Sequence, residues 1–393
     1  MHDVIIIGDG PVGSQVAYQL AGQGYDVVVL GKEKKPGGKV CCTGIISQAC
    51  TNSFAIKEEV ILRRVKSARI FSPSGRLIRL WRQENQACVV NRSVFDMTMA
   101  SQAQSKGAQY MPSRSAKDIT INDDKVVVEA THDGKRLKLE ARATVIAAGF
   151  GTRLVEELGR IDDFVVGAQV EVETRDVDEV EVYLGQEIAP GFFAWLVPTS
   201  PSMARVGLLS RHNPEFYLKN LISSLHAQGR ITAYQGSPSY RGIPLKPLTK
   251  TYDKRLLVVG DAAGQVKPTT GGGIYYGLMC ADIAARNLGW ALEKDDLSAK
   301  SLANYEREWK KKLGRELKIC YWGRKFYEHL NDRQIDRIFD ITKTNDIDGT
   351  LLKADDLSFD WHGKAILRLI RQKVLAKTLA TMKIPFHIGT KFS

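Results

Sequence analysis

Three glycines near the start of the chain are spaced as Gly-x-Gly-x-x-Gly. Gly8, Gly10 and Gly13 follow a short apolar run at residues 3–8 and precede a segment with helical periodicity. In a strand–turn–helix unit of this kind, the first glycine permits a tight turn and the second lets the backbone approach a diphosphate. The third lets helix and strand pack closely. The sequence therefore predicts a dinucleotide site whose phosphates meet the N-terminus of the first helix.

A second glycine cluster, GDAAGQVKPTTGGGIYYG, occupies residues 260–277. A strand that ends at Gly260 and Asp261 places a carboxylate where ribitol hydroxyls can donate hydrogen bonds to it. A helix that begins after residues 271–273 aims its first N–H groups at the electron-rich edge of a flavin ring. FAD extends beyond its diphosphate by a ribitol and a flavin, so it needs a second contact region. Two separated glycine turns in this order therefore favour FAD over NAD.

The acid that usually binds the adenosine ribose is missing from its expected place. It normally ends the second strand of the dinucleotide unit, which here is DVVVL at residues 26–30, and the next residue is Gly31. Glu33 lies two residues further on. We expect either Glu33 or backbone groups to hold the ribose.

The elements that position these turns follow from hydrophobic patterning. The pattern predicts a strand–helix–strand start, a long loop at 31–53, a helix at 92–106, and three short strands within 115–140. It further predicts a buried strand at 143–149, a mostly antiparallel sheet at 163–245, a return to the first sheet at 255–264, and helices from 271 onward. The fold class is α/β, with a Rossmann-like FAD-binding domain, a second, mostly antiparallel sheet as the substrate domain, and a helical C-terminal region.

The predicted domains are discontinuous along the chain. Residues 1–160 and 250–293 form the FAD-binding domain, residues 161–249 form the substrate-binding sheet, and residues 294–393 form the helical C-terminal region. Strands near 65–90 are candidates for the substrate sheet.

Composition narrows the classes of function. The chain has 393 residues, 44% of them hydrophobic, and no long uncharged apolar stretch, so no membrane-spanning helix is expected. The N-terminus lacks the features of a signal peptide, which predicts a cytoplasmic protein. Six cysteines without metal-ligand spacing predict neither a disulfide framework nor a metal site. The formal net charge is +12, yet no basic stripe with interleaved aromatics is present, so no nucleic-acid partner is expected.

Five segments together resemble the FAD-dependent superfamily of aromatic hydroxylase-like flavoproteins. They are IIIGDGPVGS, NRSVFD, VIAAG, GDAAG and PTTGGGI. Two more segments narrow the resemblance to the geranylgeranyl reductase family: the cysteine-glycine loop PGGKVCCTGI at 36–45 and the aromatic segment PGFFAWLVP at 190–198. The resemblance covers roughly residues 1–290.

The resemblance implies a set of cofactor contacts. Those at the diphosphate are Gly8, Gly10, Gly13 and Ser14, with Arg92 near it; Asp261 is at the ribitol; Gly273 and Ile274 lie under the flavin; Cys41, Cys42 and Gly44 lie in the loop beside the ring. Glu33, named above from its position after the second strand, and Ala116 complete the predicted set of cofactor-binding residues. The implied substrate pocket contains Phe193, Trp195 and Pro198. Val197 departs from the family pattern, which has a second aromatic residue there.

Three of these assignments have a purely structural alternative. Cys41 and Cys42 are either redox or catalytic thiols or small packing residues of a loop. Phe193 and Trp195 share one face of a strand, and this face is either core or the wall of an apolar pocket. Arg92 either contacts the cofactor or pairs locally.

The implied activity is an FAD-dependent reductase that saturates carbon–carbon double bonds of a polyprenyl, geranylgeranyl-type lipid by hydride transfer from reduced flavin. Candidate proton donors are the reduced flavin, Cys41, Tyr275 and a water molecule. Since no second dinucleotide motif occurs, the electron donor is NAD(P)H bound transiently, a ferredoxin-like protein or a quinol. Alternatives are a flavin-dependent monooxygenase or halogenase, and a non-catalytic isoprenoid-binding protein that contains FAD.

The C-terminal segment WHGKAILRLIRQKVLAKTLATM has apolar residues at helical spacing. Ile366, Leu367, Ile370, Val374 and Leu375 alternate with the basic residues Lys364, Arg368, Arg371 and Lys377. This pattern is typical of a helix packed on the domain or of an interfacial helix that contacts a membrane peripherally.

Overall fold

The computed structural model describes residues 1–38, 40–234, 236–344 and 358–371. The strands in chain order are β1 (His2–Ile7), β2 (Val27–Leu30), β3 (Ile45–Ser47), β4 (Ile61–Val65), β5 (Ser67–Phe71), β6 (Leu77–Trp81), β7 (Ala87–Val90), β8 (Gln109–Met111), β9 (Ser115–Ile121), β10 (Val126–His132), β11 (Lys135–Ile146), β12 (Phe164–Thr174), β13 (Val180–Leu184), β14 (Phe193–Pro198), β15 (Met203–Ser210), β16 (Ile231–Tyr234), β17 (Ser239–Pro244), β18 (Tyr252–Asp253) and β19 (Leu256–Val258).

The helices in chain order are α1 (Pro11–Gly22), α2 (Gln48–Ser53), α3 (Arg92–Ser105), α4 (Pro214–Ala227), α5 (Ile274–Glu293), α6 (Ala299–Trp309), α7 (Arg315–Glu328), α8 (Asp332–Thr344) and α9 (Gly363–Arg371). A π-helical turn at Lys310–Gly314 joins α6 to α7.

The first sheet has the parallel core that the N-terminal pattern predicts. Its order is β18-β19-β11-β1-β2-β8, and β11, β10 and β9 continue it as antiparallel neighbours. β1 and β2 are almost wholly apolar because both faces of this part of the sheet are buried. Helices α1 and α5 pack on one face, and strand β10 covers the other.

One predicted division of this sheet is wrong. The third short strand within 115–140 and the buried strand at 143–149 are a single element, β11, which runs without a break from Lys135 to Ile146. Its first half pairs with β10 and its second half with β1. The first half of β11 is largely exposed and rich in charged residues, whereas the second half is buried and mostly apolar. In the sequence the two halves therefore look like two separate strands.

The second sheet is mostly antiparallel, in the order β16-β12-β15-β14-β13-β5-β6, with β17 also paired to β12. The contact between β5 and β13 is its parallel exception. Helix α4 covers one face of β12, β14 and β15. The opposite face of these strands is turned towards the first sheet.

Strand β3 and helix α2 lie within the segment predicted as a loop at 31–53, so that prediction is wrong from Ile45 onward. β3 pairs antiparallel with β7, which also pairs with β4, to form a small third sheet. The Ser47 hydroxyl then accepts a hydrogen bond from the Cys50 N–H at 2.9 Å and caps α2.

The C-terminal part of the described chain is helical and returns to the second glycine cluster. The Nζ of Lys267 donates a hydrogen bond to Asp360 Oδ1 at 2.9 Å, and the Tyr276 hydroxyl donates one to the Asp360 carbonyl at 2.7 Å. Helix α9 packs on α7, where Ile366 lies against Gly323. Among the described residues, no helix combines the length and apolar character needed to cross a bilayer. The side chains of Ile370 and Arg371, and all of Val374, Leu375 and Lys377, lie outside the described residues.

Candidate active site

A cavity of about 740 Å³ lies between the first and second sheets. The carboxyl ends of β1 and β11 and the N-termini of α1 and α3 bound one part of it. Side chains of β13 and β14 bound another part. Ligands of open α/β sheets bind outside the carboxyl ends of the parallel strands, so the position of the cavity is the one expected for a dinucleotide.

The three glycines of the first turn have different structural roles. Gly8 has φ +116°, and a Cβ there would lie 2.4 Å from the Ala147 carbonyl oxygen. A Cβ on Gly13 would lie 1.9 Å from the Gly8 carbonyl oxygen, whereas a Cβ on Gly10 would meet nothing within 4 Å. Gly8 and Gly13 therefore permit close backbone packing, and Gly10 leaves open space beside the cavity that it lines.

Ser14 lies behind the turn, where its hydroxyl accepts a hydrogen bond from the Tyr110 hydroxyl at 2.8 Å. Ser14 does not line the cavity, and neither do Gly13 and Gly44.

Two acidic side chains, one after β2 and one after β1, line the cavity. Glu33 lines it, and its backbone carbonyl accepts a hydrogen bond from the Ser113 N–H at 2.8 Å. Asp9, within the first glycine turn, also lines it. Burial, reinforced by the negative charges of Asp96 and Glu33, raises the pKa of Asp9 to about 6.

The second glycine cluster places Asp261 on the cavity, at the end of β19. Its Oδ2 accepts a hydrogen bond from an Arg241 guanidinium nitrogen at 3.0 Å. A Cβ on Gly273 would lie 2.5 Å from Asp261 Oδ1, so glycine is needed for this approach. Helix α5 begins at the next residue, and both Ile274 and Tyr275 line the cavity.

A buried arginine holds the turn at residues 268–270 in place. The Arg324 guanidinium donates hydrogen bonds to the carbonyls of Pro268 at 3.3 Å and Gly191 at 3.2 Å, and also to that of Thr269. Burial lowers the pKa of Arg324 to about 10. Arg324 therefore connects the second glycine cluster to Gly191, at the start of the aromatic segment and just before β14.

The cysteine loop is fixed by side chains of the second sheet. The Cys41 thiol donates a hydrogen bond to the Ser239 carbonyl at 3.4 Å. The Gln169 amide donates one to the Cys42 carbonyl at 3.2 Å, and Arg205 donates one to the Thr43 carbonyl at 2.8 Å. Both cysteines line the cavity. Burial raises the pKa of the Cys41 thiol above its ordinary value of about 9, and the hydrogen bond to Ser239 only partly offsets this.

We expect Cys41 to react slowly with iodoacetamide, because the thiolate is the nucleophile and a raised pKa lowers its population. At pH 8 the alkylation rate should be lower than for the same cysteine in urea-unfolded protein, and it should still rise above pH 9. Mass spectrometry of the Cys41 peptide measures this rate. A rate that reaches a plateau below pH 9 would contradict the raised pKa.

Arg92 pairs locally and also lines the cavity. It begins α3, is 7% exposed, and donates hydrogen bonds to both carboxylate oxygens of Asp96 at 2.9 and 3.2 Å. Burial opposes its charge, but the attraction of Asp96 and a contact with the Cys42 thiol outweigh this and raise the pKa of Arg92. The local pairing is therefore present, and a cofactor contact by Arg92 stays a prediction.

The apolar part of the cavity follows the alternation of β14. Phe193, Trp195 and Val197 line it, whereas Pro198 falls on the opposite face and does not. The Trp195 indole lies over Gly207 of the neighbouring strand, where a Cβ would be 2.4 Å from its Cζ2 atom. Further apolar lining comes from Ala68, Val180, Val182, Leu209 and Ile243.

Ala116 lines the cavity from the start of β9. The sequence reasoning missed Asp9, Arg241, Lys267 and Arg324 among the residues described above. The sequence does mark two of these residues, since Asp9 and Lys267 are charged residues within the first and second glycine clusters. Arg241 and Arg324 lie far from any motif in the sequence.

The chain is similar in sequence to proteins whose family is known. Residues 3–348 match the family described as lycopene cyclase protein. A digeranylgeranylglycerophospholipid reductase of Methanocaldococcus jannaschii is 30% identical over 355 residues, which cover 86% of this chain and 90% of the relative. The chain belongs to the geranylgeranyl reductase family. This confirms the resemblance and the prediction of an FAD-dependent oxidoreductase.

Solved structures agree with the geranylgeranyl reductase assignment. A geranylgeranyl bacteriochlorophyll reductase-like protein of Thermoplasma acidophilum superposes with a TM-score of 0.85 at 25% identity, covering 97% of this chain and 99% of that one. A triple mutant of a flavin-dependent brominase superposes with a TM-score of 0.72 at 15% identity, covering 97% and 98%. The brominase shares the fold alone. The predicted fold class is confirmed.

Proposed function

We propose that this protein is an FAD-dependent reductase that saturates double bonds in the isoprenoid chain of a geranylgeranyl-type lipid. The observation that carries the proposal is a single cavity with two unlike parts. One part is bounded by two glycine turns and polar groups at the carboxyl ends of the parallel strands. The other is bounded by apolar side chains of the second sheet. Its relatives' names are consistent with a prenyl lipid as the substrate.

The polar part fits FAD. Gly10 leaves room for a diphosphate beside the first N–H groups of α1. Asp261, positioned by Arg241, would accept hydrogen bonds from the ribitol, and the N-terminus of α5 would face the flavin ring. When bound and reduced, the flavin supplies the hydride.

The apolar part positions the lipid and excludes water. An isolated alkene is a poor hydride acceptor, so proton transfer to one carbon would lead and leave positive charge on the other, which the hydride then neutralises. The aromatic rings of Trp195 and Phe193, which line the cavity, would stabilise that charge. Cys41 and Tyr275 both line the cavity. Burial raises the pKa of Cys41, so its Sγ atom keeps the proton at neutral pH and releases it less readily than an ordinary thiol.

An external donor reduces the flavin, and NAD(P)H, a ferredoxin-like protein and a quinol are the candidates. Peripheral contact with a membrane through α9 is a further part of the proposal, supported by the basic residues Lys364 and Arg368 on that helix.

The test of the function uses chemically reduced protein, which removes the need to know the natural donor. The FAD-loaded protein is reduced anaerobically with dithionite and mixed with geranylgeranyl diphosphate or a digeranylgeranylglycerol phospholipid. We expect reoxidation of the flavin and a mass gain of two hydrogens for each bond reduced. A gain of one oxygen in air would support the monooxygenase alternative, and an unchanged lipid would support the non-catalytic one.

Gly207→Ala links this activity to the apolar wall. The new Cβ would lie 2.4 Å from the Trp195 indole and 2.6 Å from the Ala168 carbonyl oxygen of β12, so both the indole and the neighbouring strand must shift. Misplacement of substrate-positioning groups by about 1 Å lowers rates roughly tenfold or more, and the Tm of the FAD-free variant measures how far the strand shift destabilises the sheet. We expect slower lipid-dependent flavin reoxidation with unchanged affinity for FAD. Gly314→Ala is the matched control, because its Cβ would meet only Lys310, at 3.7 Å. Equal reoxidation rates for the two variants would exclude this role for Trp195.

A further inference from the structure

The end of β2 lacks the side chain that binds ribose in most dinucleotide-binding folds. Gly31 stands there, with its N–H donating a hydrogen bond to the Met111 carbonyl at 3.0 Å. Its own carbonyl accepts one from the Arg114 N–H at 2.7 Å. These bonds fix the backbone of Gly31 at the edge of the first sheet, so the missing acid is not supplied by a shift in strand register.

The carboxylate of Asp9 occupies the space that a side chain at position 31 would take. A Cβ built on Gly31 would lie 2.3 Å from Asp9 Oδ2, 2.6 Å from its Cγ and 3.2 Å from its Cβ. Asp9 belongs to the turn between β1 and α1, and it reaches this space from the neighbouring strand end. Glycine at position 31 is therefore the condition for the observed position of Asp9.

The Asp9 carboxylate lacks a hydrogen-bond donor that its burial demands. Its Oδ2 atom is buried and has no hydrogen-bond partner in the described part of the chain. Its charged surroundings include Asp96 and Glu33, which have the same sign. A buried carboxylate oxygen without a donor is costly. Asp9 also lines the cavity, so rotation of its carboxylate towards the cavity would let a ligand hydroxyl supply that donor.

We propose that Asp9 replaces the missing strand-end acid and accepts hydrogen bonds from the hydroxyls of the adenosine ribose of FAD. The proposal rests on the proposed function only to the extent that FAD binds in this cavity. It assigns the ribose to the first glycine turn instead of Glu33, whose side chain follows the strand end by two residues. Asp9 thereby determines affinity for the adenosine half of the cofactor.

The first experiment measures both the affinity for FAD and the stability of the FAD-free protein. Asp9→Asn keeps the shape of the side chain and removes its charge. We expect roughly tenfold weaker FAD binding, measured by quenching of flavin fluorescence, since hydrogen bonds to a charged acceptor are among the stronger ones. We also expect a higher Tm without FAD, because an unpaired buried charge is removed. Asp118→Asn, at an exposed position of β9, is the matched control for the loss of one carboxylate and should leave both quantities near their wild-type values. Glu33→Gln tests the rival assignment of the ribose to Glu33.

A second measurement identifies the group that Asp9 binds. ADP and 2′-deoxy-ADP compete with FAD for the wild-type protein, and we expect ADP to bind more tightly. The difference should vanish in Asp9→Asn and persist in Glu33→Gln. Asp9→Ala combined with Gly31→Glu should recover much of the FAD affinity lost in Asp9→Ala, since the alanine vacates the space at position 31.

Unchanged FAD affinity in Asp9→Asn, or loss of the preference for ADP in Glu33→Gln alone, would overturn the assignment of Asp9. Either result leaves the proposed reductase function standing. If the wild-type protein does not bind FAD, the cofactor assignment and the proposed function fail together with it.

Discussion

Gly13→Ala is expected to destabilise the FAD-free protein by about 3 kcal/mol and to abolish measurable FAD binding. The new Cβ would lie 1.9 Å from the Gly8 carbonyl oxygen and 3.4 Å from the Cβ of Ala147, so no flexible side-chain end can move aside. Helix α1 must then shift away from β1, which opens the turn that faces the cavity. Thermal unfolding of the FAD-free protein and flavin fluorescence measure the two effects.

Gly10→Ala is the control that separates folding from binding. A Cβ there meets nothing within 4 Å, so the Tm of the FAD-free protein should change by no more than the equivalent of about 0.5 kcal/mol. The same methyl group enters the space beside the cavity where the backbone must approach a diphosphate. We therefore expect a loss of FAD affinity of at least about tenfold. Similar Tm losses in both variants would contradict the roles assigned to these glycines.

Asp96→Asn is expected to lower the free energy of unfolding by about 3–5 kcal/mol, because it leaves the buried Arg92 guanidinium without its counter-charge. Both side chains are almost fully buried, and the pair forms three hydrogen bonds. Urea unfolding of the FAD-free protein measures this loss.

The double variant Arg92→Met with Asp96→Leu tests whether Arg92 has a second role. Replacing a buried ion pair by apolar residues of similar size is often neutral for stability, so much of the lost stability should return. If Arg92 also contacts FAD, the double variant should bind FAD at least about tenfold more weakly than the wild type. Wild-type affinity in a stable double variant would leave Arg92 a purely structural residue.

The predictions that succeeded depend on local sequence. Gly8 to Gly13 carry their geometry in their own spacing, since the strand, turn and helix are contiguous and the space at Gly13 is limited by the Gly8 carbonyl. The start of α5 after Gly273 is equally local. Helix α3 begins at Arg92, as predicted, and its start is also local, since the Asn91 side chain accepts a hydrogen bond from the Val94 N–H.

The features that the sequence did not reveal depend on partners far away in the chain. β3 has three residues, and only its pairing with β7 makes it a strand. Arg324 has no motif, since its partners are carbonyls near residues 191 and 268. Asp9 lies within a recognised motif, but its significance depends on the absence of a side chain at Gly31, on a different strand.

The wall of the cavity is drawn from nearly the entire described chain, from Ile7 on β1 to Asp360 just before α9. During synthesis the first glycine turn leaves the ribosome long before Phe359 and Asp360 do. N-terminal segments begin to fold while synthesis continues, yet this cavity stays open on one side until its last wall has been translated. We therefore expect the complete site to capture the cofactor only after Phe359 and Asp360 have emerged, and the apolar wall around Trp195 to stay exposed until then.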